Sequence, residues 1–139
     1  MKVHKAGIII RSKRTEINKI EKLLFKLNEV YNIEQEKFIN FSIAVSEALM
    51  NAIVHGNRES DEKRVFIDVY ENDSTVEISI RDEGTGFDYT SIPDPTTDEN
   101  LHKDHGRGLY IMKILTDGFD CSATESGTLV KLVIQRNHT

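Results

Sequence analysis

The sequence predicts an α+β fold, a two-layer sandwich of a mixed, mainly antiparallel sheet with helices on one face. Three observations lead there. Two stretches in the N-terminal half step their apolar residues by three and four, the period of a helix. Several later stretches alternate apolar and polar residues around short turns, the pattern of hairpins solvated on one face. Each kind of element then has one apolar face to cover, and laying helices on the sheet covers both.

The elements follow in order. Residues 3–10 are rich in isoleucine and read as a first strand. Ile17, Ile20, Leu24, Leu27 and Tyr31 mark an amphipathic helix, with Thr15 expected to cap it. Asn32 is expected to cap a second helix, with Glu34 and Glu36 in its first turn, where negative charge is favoured. Phe38, Phe41, Val45, Ala48, Leu49 and Ala52 form its apolar surface, and Gly56 ends it. Val65, Ile67 and Val69, then Val76, Ile78 and Ile80, alternate with polar or aromatic neighbours around Asn72-Asp73-Ser74, a hairpin signal. A glycine-rich, acidic loop is expected over residues 82–105, then a short helix over residues 107–116 closed by Gly118. Two last strands, 119–124 and 128–135, meet at Ser126-Gly127.

Composition narrows the class. The 139 residues include 2 prolines, and 38% are hydrophobic and 29% charged, which fits one globular domain over residues 1–139. A net charge of -5 argues against a general nucleic-acid binder. The apolar run near the start is too short and too closely flanked by charge for a signal peptide, and no segment is expected to span a bilayer. The single cysteine, Cys121, reads as a small packed residue in a reducing cytoplasm.

Within the apolar second helix, Glu47, Asn51 and His55 recur every fourth residue, so they lie along one side of it. For a single polar residue the solvated face would be the better reading. Two glycine pairs change that: DEGTGFD at residues 82–88 follows a strand, and HGRGL at residues 105–109 opens a helix. Glycine lets backbone approach a ligand closely, and amides at a helix N-terminus bind phosphate. No G-x-x-x-x-G-K-[ST] is present, and neither pair completes G-x-G-x-x-G, so a P-loop and a dinucleotide fold are excluded.

ExxxNAxxHG (residues 47–56), DxGxGF (82–87), GRGL (106–109) and a late GT (127–128) occur in that order. This set resembles the GHKL ATPase superfamily, whose members share the GHKL or Bergerat ATP-binding fold, and within it the bacterial anti-sigma-factor serine/threonine-protein kinases. The resemblance covers nearly the whole chain. It implies that Asn51 ligates Mg²⁺ bridging ATP phosphates, and that Glu47 is the general base acting on the attacking hydroxyl. It implies that Asp82 accepts a hydrogen bond from the adenine amino group, with Gly84 and Gly86 leaving room for the base. Thr128 would hold Asp82 or the adenine through its hydroxyl, directly or through water. Residues 88–105 would form a lid. Gly106, Arg107, Gly108 and Leu109 would offer amides, and Arg107 a guanidinium, to the phosphates.

His55 is expected in a structural hydrogen bond near the helix end rather than in catalysis. His102, Asp104 and His105 give an incomplete metal-ligand set, and Glu83, Asp94, Asp98 and Glu99 read as loop charge. The resemblance implies a cytoplasmic, ATP- and Mg²⁺-dependent kinase that binds a sigma factor and phosphorylates a small anti-sigma-factor antagonist protein. It implies a possible homodimer, and no direct contact with nucleic acid or membrane. The alternative is a nucleotide-responsive binding module without phosphoryl transfer; Glu47 favours the kinase. A histidine-kinase catalytic domain is disfavoured, because 139 residues leave no room for a hairpin carrying a phosphoacceptor histidine.

Overall fold

The computed structural model describes residues 2–84 and 104–136, with the backbone alone described for 104–107. Its elements are β1 (Val3–Arg11), a 3-10 turn (Arg14–Glu16), α1 (Ile17–Tyr31), α2 (Gln35–Met50), a π-helical turn (Asn51–Gly56), β2 (Arg64–Glu71), β3 (Thr75–Arg81), α3 (Asp104–Leu115), β4 (Gly118–Thr124) and β5 (Gly127–Gln135).

The five strands pair in the order β1-β2-β3-β5-β4. Every described pairing is antiparallel, so the mainly antiparallel sheet expected from the sequence is antiparallel throughout the described residues. Register lines up one apolar row across all five strands: Ile8, Ile67, Ile80, Val130 and Cys121. That row and its neighbours meet Ile20 and Leu24 of α1, Val45, Ala48 and Leu49 of α2, and Leu109 and Met112 of α3 in one core. A fully buried aliphatic side chain contributes about 1.5–3 kcal/mol, so this shared face holds the two layers together. The opposite face of the sheet carries long side chains that shield its aromatic rings. Arg81 stacks on Phe66 at 4.2 Å, and Lys2 lies 4.8 Å from the Tyr70 ring while pairing with Glu77.

Several boundaries differ from the sequence expectation. Thr15 does not cap α1: it lies inside the 3-10 turn, and the extended residue before that turn is Lys13. An N-cap needs extended backbone, which Thr15 lacks. Asn32 ends α1 rather than starting α2. Its φ of 49° is left-handed, a conformation asparagine tolerates, and its N–H bonds Asn28 O. Glu34 is the N-cap of α2, its carboxylate accepting from the N–H groups of Glu36 and Lys37. Gly118 does not close α3; it begins β4, where its bare Cα packs on Val133. The turn between β4 and β5 is Glu125-Ser126, with Gly127 already in β5. The helix running through Gln35–Gly56 has 22 residues and is long and apolar enough, by length and composition, to cross a membrane, contrary to expectation. Half of its most apolar window is buried in the core, which accounts for that composition.

Candidate nucleotide site

The polar stripe begins on α2. Glu47 is half-buried, and Asn51, one turn later, is buried. The helix then changes pitch. Asn57 N–H bonds Ala52 O at 2.8 Å, an i→i+5 closure that accommodates an extra residue in the turn. His55, the next residue of the spacing, is exposed.

Asp82 leaves β3 at the far side of this turn and is 3% exposed. Its Oδ1 accepts from the N–H of Gly84 at 2.9 Å and of Thr128 at 3.1 Å, and its own N–H donates to Thr128 O at 3.0 Å. Burial pushes its carboxyl above the usual carboxylate range, and those two N–H bonds pull back. The residues around it are glycines because nothing larger fits. A Cβ on Gly56 would lie 2.2 Å from Asp82 Oδ2, one on Gly84 2.0 Å from Gly56 O, and one on Gly127 1.8 Å from Asp82 O. Gly127 also has φ of 144°, open to glycine and strained for other residues.

Among the described residues, two buried polar atoms have no hydrogen-bond partner: Asn51 Nδ2 and Thr128 Oγ1. They come from the two ends of the expected motif set. Thr128 holds Asp82 through its main chain, so its hydroxyl is left for another group. The first turns of α3 press on the stripe, since a Cβ on Gly108 would lie 3.0 Å from Glu47 Oε2 and 3.4 Å from Asn51 Nδ2. The helix begins at Asp104, earlier than expected. Gly106 and Arg107 thus lie in its first turn, and Gly108 and Leu109 in the next, where N–H groups serve the helix's own ladder. Leu109 is a core side chain, 3% exposed. Gly86, Asp94, Asp98, Glu99, His102 and most of the expected lid lie outside the described residues, as do the side chains of Asp104, His105 and Arg107. A groove of about 670 Å³ runs between α1 and α2 and reaches Glu47 at one end. It is apolar, so the polar atoms just described mark the site better than its volume does.

Residues 11–134 match the model of the histidine kinase-like ATPase domain family. The chain belongs to that family. This ATPase domain is 39% identical to the anti-sigma F factor of Heyndrickxia coagulans over 93 residues, which are 63% of each chain. It is 37% identical to the anti-sigma F factor of Bacillus subtilis (strain 168) over 101 residues, 70% of this chain and 68% of that one. The matched stretch is thus about two thirds of those relatives' length. The fold is that of the crystal structure of the RsbU and RsbW domains of Rv1364c from Mycobacterium tuberculosis. That likeness has a TM-score of 0.68 at 14% identity, over 97% of this chain and 34% of that one.

Membership in the ATPase family implies ATP as ligand, and the residues present fit it. A buried carboxylate set among glycines, an unpartnered hydroxyl beside it and an unpartnered amide at the start of the π-turn suit a base at one end and phosphates at the other. Asn51 and Glu47 offer hard oxygen donors of the kind Mg²⁺ takes. Among the described residues no cluster of three His, Cys, Asp or Glu side chains offers a rival metal site.

Sequence reasoning missed two residues of this ATPase domain. Asn57 is fully buried and bonds three segments. Glu83, read as loop charge, instead accepts Arg64 N–H at 2.7 Å. A Gly-Asn pair at a helix end reads as an ordinary turn, and only the polar residue's place directly after a buried motif signalled more. Cys121 behaves as expected: burial first, then Asp120 and Asp82, pushes its thiol up to about 12, which suppresses the reactive thiolate.

Proposed function

We propose that this ATPase domain is an anti-sigma factor and an ATP- and Mg²⁺-dependent serine/threonine-protein kinase whose substrate is a small anti-sigma-factor antagonist protein. The observation that carries the reading is Glu47, a carboxylate one helical turn before the unpartnered, buried Asn51 and packed under Gly108 of α3. A module that only sensed nucleotide would need Asn51 and Asp82 but not a carboxylate there. The similarity to anti-sigma F factors supports the choice of partners.

In this mechanism Asp82 receives the adenine amino group and Thr128 offers its hydroxyl beside it. Gly106 and Arg107 would offer amides, and Arg107 a guanidinium, to the phosphates. Asn51 would hold Mg²⁺, which when bound would offset phosphate charge. Glu47 orients the acceptor hydroxyl and takes its proton as the oxygen attacks the γ-phosphorus. The bond from that phosphorus to the β–γ bridging oxygen breaks, ADP departs, and the phosphoserine or phosphothreonine remains on the antagonist. Its added charge disrupts the antagonist complex. Sigma factor, antagonist and ATP all belong to the cytoplasm, where this domain acts.

The test is transfer of label from ATP to an antagonist protein encoded beside this one. Glu47→Gln keeps the side chain's shape and removes its basicity. It is expected to slow transfer by about 10²–10⁴-fold while ATP affinity stays close to the parent's. A parent protein that binds such a partner in a nucleotide-dependent way but transfers no phosphate is a binding module instead. Equal transfer by parent and Glu47→Gln keeps the kinase and removes Glu47 as its base.

A further inference from the structure

Asn57 lies just past the helix that carries Glu47 and Asn51, wholly buried. Its side-chain amide is fully engaged. Nδ2 donates to Ser12 Oγ at 2.8 Å and to Arg64 O at 2.9 Å, and Oδ1 accepts from Glu83 N–H at 2.7 Å. Ser12 Oγ in turn donates to Lys63 O at 2.7 Å. One amide thereby joins the exit of β1, the end of the helix, the entry of β2 and the exit of β3.

The bond to Glu83 N–H matters most, because that N–H belongs to the same peptide unit as the carbonyl of Asp82. The unit is gripped from several directions. Asn57 holds its N–H, the Glu83 carboxylate is tied to Arg64 N–H, and the Asp82 carbonyl lies so close to Gly127 that a Cβ there would sit 1.8 Å away. With the peptide plane set and Oδ1 bound by Gly84 and Thr128, the direction of Oδ2 follows.

We infer that Asn57 is a positioning residue that fixes the aim of the Asp82 carboxylate, and with it the preference of the site for adenine over a purine without the 6-amino group. The inference rests on the reading of Asp82 as acceptor of that amino group. A purely structural asparagine would behave differently: its loss would lower stability and leave base preference untouched in the molecules that remain folded.

The experiment measures the affinities of the full chain for ATP and for purine riboside triphosphate, which lacks the amino group, with Mg²⁺ and below the melting temperature of each variant. The parent is expected to prefer ATP by about tenfold or more, the effect of one hydrogen bond to a charged group. Asn57→Ala is expected to bring the two affinities within about twofold of each other by weakening ATP alone, since purine riboside triphosphate makes no bond that depends on the aim of Asp82. If Asn57→Ala does not fold, Glu83→Ala decides, because it removes the second hold on the same peptide; its ratio is expected to fall by about threefold, a partial loss of that bond. A parent-like ratio in the deciding variant overturns the inference. Asp82→Asn, run in parallel, separates the two readings. Preference lost in Asp82→Asn but kept in Asn57→Ala sinks the role of Asn57 alone. A parent without preference, or preference that survives Asp82→Asn, removes the adenine reading and the inference with it.

Discussion

Asp82 divides its carboxylate between two tasks. Oδ1 accepts two main-chain N–H bonds, and Oδ2 lies against the bare Cα of Gly56. Asp82→Asn retains one acceptor oxygen, which the N–H groups of Gly84 and Thr128 claim, and turns an amino group toward the proposed place of the adenine. ATP affinity is expected to drop about ten- to hundredfold, the cost of losing a hydrogen bond to a charged group. Titration of labelled ATP reads it, and equal affinities would take Asp82 out of the site. Asn51 belongs at the same scale. Asn51→Ala is expected to bind ATP alike with Mg²⁺ and with EDTA, while the parent binds more tightly with the metal. A variant whose affinity still rises with Mg²⁺ would show that the ion is held elsewhere.

The join between β1 and α1 turns on Glu16. Its carboxylate is 4% exposed, yet it meets Lys19 Nζ at 2.7 Å and Arg11 Nε at 2.9 Å. The Lys19 bond first, then Arg11, brings its pKa down to about 2. The sign follows from linkage. Above the unfolded value near 4.5 both states are ionised and the contribution is complete; as pH falls from there toward 2 the unfolded chain takes up the proton first, and stability is lost. Both cations are more than half exposed, so solvent and salt trim the effect. Urea unfolding of the parent and Glu16→Gln between pH 6 and about 2.5 is expected to show a steeper loss in the parent, since only it carries this proton linkage. Parallel curves would assign the acid sensitivity to other carboxylates. The elements were legible in the sequence where periodicity reports burial: Ile20, Leu24, Val45 and Leu49 lie in the core as their spacing requires. The ends were less legible. Asn32 and Glu34 are two residues apart and either can cap a helix; the left-handed backbone at Asn32 decides between them, and no spacing in the sequence reports it. The π-turn has no residue signature, so the sequence did not show where the helix changes pitch.

At the scale of the molecule, four motifs spread along the chain suffice to recognise the family, because each supplies a group the others cannot reach. Glu47 and Asn51 come from one helix, Asp82 from the end of a central strand, Gly108 from the helix laid over them, and Thr128 from the strand paired with β3. What the motifs did not disclose is the frame behind them. Ser12, Asn57 and Glu83 bond main chain as much as side chain, and a main-chain partner leaves no mark in a sequence.

The closure of that frame across distant segments bears on how the chain acquires its shape. Ser12 and Asn57 are separated by 45 residues, and Asp82 and Thr128 by 46. Contacts of such span form late, after the entropy of closing long loops has been overcome. A half-folded chain can own α2 and still lack the pocket, so ATP should recognise the finished molecule and ignore its precursors. Saturating nucleotide then acts as a brake on unfolding: at a hundred times its dissociation constant ATP adds about 2.7 kcal/mol to the whole domain. Thermal melts with and without ATP are expected to show one transition displaced upward as a unit in the parent, and less displaced in Asp82→Asn at the same ATP concentration. A nucleotide that delayed only part of the melt would mean that the pocket outlives the fold that built it.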